Sequence, residues 1–301
     1  MGEQSVALEE AREEEQFLWF RSLPFIAMHL VPLAAIWTGV EAFDVALCFA
    51  LYAIRMFFIT GGFHRYFSHR TFKTSRWMQF LFAFWGQTSA QKGTLWWAAH
   101  HRHHHLHSDE MEDIHSPLRG FWWSHVGWIL CGRYDETRMS RIRDFAKYPE
   151  LVWLNRFWVV PPTLLGVAVL ALWGWSAFLI GFVLSTVLLY HGTFLVNSLA
   201  HVIGKKRYPT TDESRNSWLI AVITLGEGWH NNHHHYQNST RQGFMWWELD
   251  VTYYVLKLMS WVGLVWELQE PPALVVSGGT LGRAGKALAV GVNLGDGPPS
   301  V

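Results

Sequence analysis

The sequence predicts an all-α integral membrane protein, with four transmembrane helices arranged as two hairpins beneath a cytosolic helical cap. Half of its 301 residues are hydrophobic, 19 are Trp and 16% are charged, against roughly 25% charged residues in soluble proteins. Four apolar runs approach the roughly 20 residues that a membrane-spanning helix needs. The 17 histidines are concentrated in clusters close to the ends of these runs.

The N-terminal segment, residues 1–22, is predicted to be an acidic cytosolic tail that leads into the first helix. It contains six Glu residues and no basic region of the kind that opens a signal peptide. The cysteines, Cys48 and Cys131, form no CxxC pair and no cluster for an iron–sulfur centre. A net charge of zero predicts no general attraction to nucleic acid.

The membrane domain is expected to cover residues 23–270. Its spans are predicted at about 23–40, 45–61, 157–173 and 177–195. The two outer turns contain no Lys or Arg, whereas residues 65–156 contain thirteen. Because positive residues stay on the cytoplasmic side, both termini and the central segment are predicted to be cytosolic, in the cytoplasmic membrane if the source is bacterial.

Two further segments complete the predicted organisation. Residues 77–97 are apolar but are interrupted by Gln, Lys and Gly, which favours a helix buried against the bundle or lying in the membrane interface. Residues 271–301 are rich in Gly and Pro without periodicity, which predicts a disordered tail.

Three histidine clusters and a single His201 follow the predicted inner ends of spans. The clusters are His64-Arg-Tyr-Phe-Ser-His69, His101-Arg-His-His104-His105 and His230-Asn-Asn-His233-His234. In HxxHH, positions i, i+3 and i+4 share one helix face, so three imidazoles can converge on a metal. Positions five apart lie about 140° apart on an ideal helix, so the first cluster needs a helix end or two different metals. Nine imidazoles are too many for one metal and suit two.

Ligand type alone does not identify the metal, because imidazole suits Zn, Cu, Fe and Ni. There is no HExxH zinc motif. Two Glu-x-x-His matches, Glu112–His115 and Glu227–His230, invite comparison with carboxylate di-iron bundles. Pro117 disfavours a long helix at the first match, so that interpretation is the weaker one. A cytosolic histidine tract that only buffers or traps metal is the non-catalytic alternative.

The remaining histidines are expected to have other roles. His29 and His191, isolated within spans, are interpreted as packing or hydrogen-bonding residues. Surface positions or positions behind the ligands are expected for four others: His100, His107, His115 and His125. His103 and His235 occupy the odd positions within their clusters and are not expected to be ligands.

These motifs closely resemble those of the membrane fatty acyl desaturases, in particular the stearoyl-CoA (delta-9) desaturase-like group. The resemblance runs from about residue 61 to 266 and includes Asn197-Ser-Leu-Ala-His201 and Arg119-Gly-Phe-Trp-Trp-Ser-His125. It implies two iron ions, with O₂ as co-substrate, and a substrate chain that bends beside Gln91, Trp97 and Thr193. The implied iron ligands are His64, His69, His101, His104, His105, His201, His230, His233 and His234, with Asn197 acting through water.

The resemblance further implies insertion of a cis double bond, delta-9 by default, into a C16–C18 acyl chain. Acyl-CoA is the favoured carrier. Acyl-lipid and carrier protein stay open, because Ala99 and His100 occupy positions where animal members carry a basic and an acidic residue. No fused electron carrier is visible, so a separate ferredoxin, rubredoxin or cytochrome b5 with its reductase is expected. Asp113 and Glu227 are hypothesised to orient ligand imidazoles.

Two alternative functions follow from the same residues. A fatty acyl or alkane hydroxylase would use the same two metals and add oxygen to carbon. A non-enzymatic metal transporter would need ionisable residues along the spans, and the spans offer only His29, Arg55 and His191. Transport is therefore poorly supported.

Overall fold

The computed structural model describes residues 17–279, and within them the chain is almost entirely helical. Three stretches are long and apolar enough to cross a membrane, namely Trp19–Thr38, Ala42–Ser68 and Val160–His201. Large apolar side chains point outward from them, including Phe20, Ile36 and Trp37 at 88%, 76% and 81% exposure. A belt of this kind needs lipid to cover it, which agrees with a membrane protein.

The first hairpin begins at Trp19, four residues before the predicted span. Its elements are α1 (Trp19–Leu30), a 3-10 turn (Val31–Ala34), α2 (Ala35–Thr38) and α3 (Ala42–Phe57). A capping box starts α3, because the Asp44 carboxylate accepts a 2.8 Å hydrogen bond from the Glu41 backbone N–H. This cap places the start of the second helix three residues before the predicted one.

A π-helical segment, Phe58–Ser68, continues α3 beyond the predicted end of the second span. Its closing hydrogen bond runs from the His69 N–H to the His64 carbonyl, five residues earlier. Such a bond stacks residues five apart on one side of the helix. The 140° separation expected on an α-helix is therefore removed, and the His64 and His69 rings lie 4.8 Å apart.

The central segment covers the π-helical segment with short helices. It starts with β1 (Lys73–Thr74) and continues with α4 (Arg76–Gln87), α5 (Thr94–His107), α6 (Phe121–His125), α7 (Arg143–Ala146) and α8 (Pro149–Arg156), with 3-10 turns at Pro117–Arg119, Gly127–Ile129, Gly132–Tyr134 and Met139–Arg141. A buried aromatic core of Phe63, Phe67 and Phe82 joins these elements. The predicted single helix over 77–97 is therefore two helices, separated by residues 88–93.

The second hairpin is contained in the 42-residue stretch Val160–His201. It consists of α9 (Val160–Ser176), a π-helical segment (Ala177–Leu184), α10 (Ser185–Asn197) and a 3-10 turn (Leu199–His201). Gly174 breaks the helix with φ 81° and ψ −171°. A Cβ on Gly166 would lie 2.9 Å from the Phe182 ring, whereas a continuous helix would separate these residues by about 24 Å. The chain therefore reverses near Gly174.

The C-terminal part packs beside the central segment. Its elements are α11 (Trp218–Ile223), α12 (His230–His235), α13 (Val251–Trp261), β2 (Val265–Trp266) and α14 (Ala273–Val276). β2 pairs antiparallel with β1. Val275 in α14 is buried against Tyr208, so residues 271–279, expected in the disordered tail, include a packed helix. The rest of that predicted tail and most of the acidic N-terminal segment lie outside the described residues.

Candidate metal centre

Five histidines from three elements surround one point, and together they are called the five-histidine group. Its members are His64 in the π-helical segment, His69 directly after it, His101 and His105 in α5, and His233 in α12. Neighbouring Nε2 atoms are 2.9–3.1 Å apart around the group. The five Nε2 atoms therefore face each other, which is the arrangement of ligands around a metal.

A second set, the four-histidine group, lies beside the first. It contains His104, His201, His230 and His234, all buried, and the Nε2 atoms of His201 and His230 are 3.1 Å apart. Nε2 of His234 is buried and has no hydrogen-bond partner. Because buried polar nitrogens are rarely left unpaired, this atom is suited to binding a ligand within the group.

The two HxxHH motifs divide their histidines between the groups, which corrects the expectation that each motif converges on one metal. On α5, His101 and His105 join the five-histidine group while His104 joins the other. On α12 the division is reversed, since His233 joins the five-histidine group and the i, i+4 pair joins the other. Around a helix, residue i+4 is rotated by about 40° from residue i in one direction, whereas residue i+3 is rotated by about 60° in the opposite direction. The i+3 side chain can therefore point to a different metal from the i, i+4 pair. Each helix therefore runs along the seam between the groups.

Carboxylates lie behind three of the four imidazoles in the four-histidine group. The Nδ1–oxygen distances are 3.0 Å for His104–Asp113, 3.0 Å for His201–Asp109 and 2.7 Å for His234–Asp212. When Nδ1–H donates a hydrogen bond to a carboxylate, Nε2 carries no proton and its lone pair is available to a metal. The same hydrogen bond sets the orientation of the ring. The hypothesis for Asp113 agrees with this geometry, whereas Asp109 and Asp212 were missed, because no short motif connects them to their histidines.

The five-histidine group has one such carboxylate. Glu227 lies 2.5 Å from Nδ1 of His64 and also accepts a 3.0 Å hydrogen bond from Arg65. Arg65 is fully buried and also pairs with Asp250 at 2.8 Å. Glu227 therefore lies behind a histidine, as hypothesised. Its carboxylate is used by His64 and Arg65, which disfavours the direct metal ligation that a Glu-x-x-His motif would require.

The buried environment favours neutral imidazoles in both groups. Burial, followed by repulsion between imidazoles, lowers the pKa well below its usual value for His69, His101, His105, His230 and His233. Burial tends to lower the pKa of His104 as well, but the charge and the hydrogen bond of the nearby Asp113 carboxylate raise it overall. Metal ligands must be deprotonated, so the lowered values keep the ligand atoms available near neutral pH.

The donor set fits a pair of transition-metal ions. Five and four imidazoles match the four to six ligands that such ions take, and imidazole binds iron as well as zinc or copper. The other clustered histidines bond elsewhere, since His103 lies 3.0 Å from the Glu112 carbonyl oxygen and His235 stacks on Tyr208. His100 is likewise bonded to the Trp96 carbonyl. The groups thus consist of the nine histidines named from the sequence.

Three further histidines form a hydrogen-bonded string between helices. Nε2 of His29 is 3.0 Å from Nε2 of His191, whose Nδ1 is 3.0 Å from Nε2 of His125. His125 in turn contacts the Ser198 hydroxyl at 2.9 Å. The string connects α1, α10 and α6, so the isolated span histidines hydrogen-bond to each other, and none of the three lies in either metal-binding group.

A cavity of about 620 Å³ lies beside the five-histidine group and has a predominantly apolar lining. Trp97, Thr193 and Asn197 line this cavity and also a smaller one, of about 40 Å³, that reaches His64 and His101. The larger volume is within the 300–1,000 Å³ of ordinary ligand pockets. An apolar chain in this cavity could therefore pass beside His64 and His101.

The residues expected at the bend of the substrate meet at this junction. The Gln91 amide donates a 2.9 Å hydrogen bond to the Thr193 hydroxyl. Trp97 stacks on His101, with ring centres 5.0 Å apart and planes inclined by 17°. Gln91, Trp97 and Thr193 all line the larger cavity, so a chain passing them would come close to the five-histidine group.

Comparison with known proteins agrees with this geometry. A model of the fatty acid desaturase family matches residues 43–260. The sn-1 stearoyl-lipid 9-desaturase of Anabaena variabilis is 36% identical over 262 residues, covering 83% of this chain and 93% of the relative. An acyl-CoA C20 delta5-desaturase of Anemone leveillei is 39% identical, covering 75% of this chain and 73% of the relative. A chloroplastic palmitoyl-monogalactosyldiacylglycerol delta-7 desaturase of Arabidopsis thaliana is 37% identical, covering 82% and 67%.

Proposed function

The chain belongs to the fatty acid desaturase family and is an oxidoreductase that desaturates fatty acyl chains, and we propose that it inserts a cis delta-9 double bond into a C16–C18 chain. The observation that carries the proposal is the pair of adjoining histidine groups, one of which lies beside the apolar cavity. The overall reaction is R–CH₂–CH₂–R′ + O₂ + 2e⁻ + 2H⁺ → R–CH=CH–R′ + 2H₂O. A separate electron carrier, of ferredoxin, rubredoxin or cytochrome b5 type, with its reductase, supplies the electrons.

In this proposal each histidine group holds one iron ion, and Asn197 contacts one of the two irons through water. The irons supply the O₂ activation needed to remove hydrogen from unactivated carbons, which no side-chain base can do. The chain itself provides the position of the substrate. Trp97 and the hydrogen-bonded Gln91–Thr193 pair lie where the cavity meets the histidines, so they bend the acyl chain and present one C–C bond.

The acyl chain is proposed to be esterified to a membrane lipid. The Anabaena relative, which this chain matches over 93% of its length, is named for stearoyl-lipid. The acyl-CoA favoured from sequence is the second candidate, because the Anemone relative is named for that substrate. His100 supports a lipid carrier over acyl-CoA, since its side chain is buried and hydrogen-bonded to the Trp96 carbonyl. It therefore cannot replace the acidic residue that animal members hold at this position.

The membrane topology is proposed to comprise four crossings, with both termini and the histidine groups on the cytosolic side. Two features support it. The reversal near Gly174 divides Val160–His201 into two helices, and the thirteen Lys and Arg residues of 65–156 lie between the hairpins. The distribution of Lys and Arg determines the orientation of a membrane protein, whereas Asp and Glu contribute little.

Expression in a desaturase-deficient host, followed by gas chromatography–mass spectrometry of total fatty acids, tests the function. A new monounsaturated acid is expected, with its double bond placed at delta-9 after derivatisation. A Trp97→Ala chain, which keeps all nine histidines, should bind iron and yield much less product. A product heavier by one oxygen would establish the hydroxylase instead, and an iron-loaded chain that yields neither product with several donors would refute the proposal.

A further inference from the structure

The mouth of the larger cavity carries three charged side chains from three different elements, here called the charged mouth: Arg21, Lys92 and Asp135. The Asp135 carboxylate pairs with Arg21 Nη1 through one oxygen and with Lys92 Nζ through the other, both at 2.5 Å. All three line the cavity. One carboxylate between two cations leaves a net charge of +1 at the entrance of an otherwise apolar cavity.

The charged mouth is the solvent-exposed part of the larger cavity, and none of its three residues lines the smaller cavity that reaches His64 and His101. Its side chains are 68%, 26% and 38% exposed for Arg21, Lys92 and Asp135, whereas the junction with the smaller cavity is walled by Trp97 and Asn197. An acyl chain whose middle carbons reach the histidines would therefore leave its carboxyl end, and the carrier attached to it, at the charged mouth. This step rests on the proposed desaturase function.

The backbone holds Lys92 at the mouth in an unfavourable conformation. Its φ is +61°, in the left-handed region that side-chain-bearing residues rarely adopt, and such residues concentrate at functional sites. Two contacts maintain it. The preceding residue, Gln91, is hydrogen-bonded to Thr193, and the Lys92 ammonium lies 4.6 Å from the centre of the Trp96 ring.

An anion can displace Asp135 from this arrangement. Ion pairs between exposed side chains contribute little stability, so the Arg21–Asp135 contact costs little to open. A guanidinium binds a phosphate through two parallel hydrogen bonds, and an ammonium can supply a further donor. A phosphate brought to the mouth would therefore find two cations already collected there.

The position of the mouth favours a phosphate that belongs to the bilayer. Arg21 lies in the first turns of α1, beside the outward-facing Trp19 and Phe20, which are 70% and 88% exposed. Exposed aromatic residues at a helix end mark the level of the lipid headgroups. We propose that Arg21 and Lys92 bind the phosphate of the acyl carrier, in the first instance a phospholipid headgroup, and that Asp135 occupies these cations until the carrier arrives.

The test uses the full chain in nanodiscs with three stearoyl substrates: phosphatidylglycerol, a neutral galactolipid and stearoyl-CoA. Arg21→Gln and Lys92→Gln should each raise the KM for phosphatidylglycerol about tenfold, with kcat and iron content preserved and the galactolipid unaffected. Asp135→Asn should lower the KM for phosphatidylglycerol. Lys73→Gln is the matched control, because Lys73 is an exposed base paired with Glu267 on the two-stranded sheet, outside the cavity lining.

The outcomes separate the source of the phosphate from the proposal itself. A KM shift confined to stearoyl-CoA supports phosphate binding and assigns it to a soluble carrier. Equal shifts with the galactolipid, or no shift with either phosphate-bearing substrate, overturn the proposal. Native mass spectrometry of phosphatidylglycerol adducts gives a second readout that needs no turnover. Loss of these adducts in Arg21→Gln supports phosphate binding even if the wild-type chain desaturates nothing, which would refute only the proposed function.

Discussion

The five-histidine and four-histidine groups share the same two helices and differ in what stands behind their imidazoles. In the four-histidine group three of four rings have an Asp at Nδ1, whereas in the five-histidine group one ring has Glu227. Glu227 is also shared with the buried Arg65. Neutral imidazoles do not offset the charge of a metal ion, whereas carboxylates behind them do. The four-histidine group thus offsets metal charge through its carboxylates, and the five-histidine group provides one more imidazole.

The largest effect is expected from removing His104, a proposed ligand that lies at the seam between the groups. His104→Ala should reduce desaturation at least about 100-fold, because positioning of both metals depends on α5, and bound iron should fall from two ions per chain toward one. Product analysis and elemental analysis of the purified protein measure the two quantities. The control is His103→Ala on the same helix, whose ring contacts the Glu112 carbonyl. Equal iron loss in both variants would mean that α5 as a whole, and not the ligand, had been disturbed.

A smaller effect should distinguish the two groups by their carboxylates. Asp113→Asn keeps the shape of the side chain but removes its charge, and we expect it to weaken iron binding at the four-histidine group about 10- to 100-fold. Iron titration of the metal-free protein would show one weakened site beside one of unchanged affinity. Glu150→Gln is the control, since Glu150 pairs with the exposed Arg76 and neither residue belongs to either group. Retention of both wild-type affinities would remove the role assigned to Asp113.

The smallest effect should appear in the acid stability of the metal-free chain. His69, His101, His105 and His233 have pKa values lowered well below the usual value by burial. Above the unfolded-state pKa, near 6.5, their contribution to stability is fully present, and it is lost as pH falls below that value. The loss is at most about 1.4 kcal/mol per pH unit for each histidine.

Thermal melting of the metal-free protein between pH 7.5 and 5.5 measures this loss. His105→Gln should make the decline shallower, because it removes one imidazole that resists protonation in the folded state. His104→Gln should not, because the Asp113 carboxylate raises the His104 pKa, so that its protonation stabilises the fold at low pH. Identical slopes for the two variants would show that His105 and His104 do not differ in this way.

Local patterns predicted most of the helices and singled out nine histidines, all of which lie in the two groups. Their role as metal ligands stays a prediction. Apolar runs predicted the starts of the first two helices to within four residues. The first helix starts earlier, at the aromatic residue Trp19, and the second starts earlier, at Ala42, because of its capping box. The division of each HxxHH motif was predicted wrongly. Helix periodicity indicates which side chains share one face of a helix. It does not indicate which of them belong to which metal, because each group is completed by histidines from other elements.

By itself the sequence determined the membrane character, the histidine clusters and, through them, the desaturase family, because each depends on residues that are close along the chain. Only the tertiary structure decided the five-and-four division, the placement of Asp109 and Asp212 behind their histidines, and the meeting of Arg21, Lys92 and Asp135 at one cavity mouth. These contacts join residues up to 169 positions apart. Burial and packing bring such residues together, and no spacing rule along one helix or turn records that outcome.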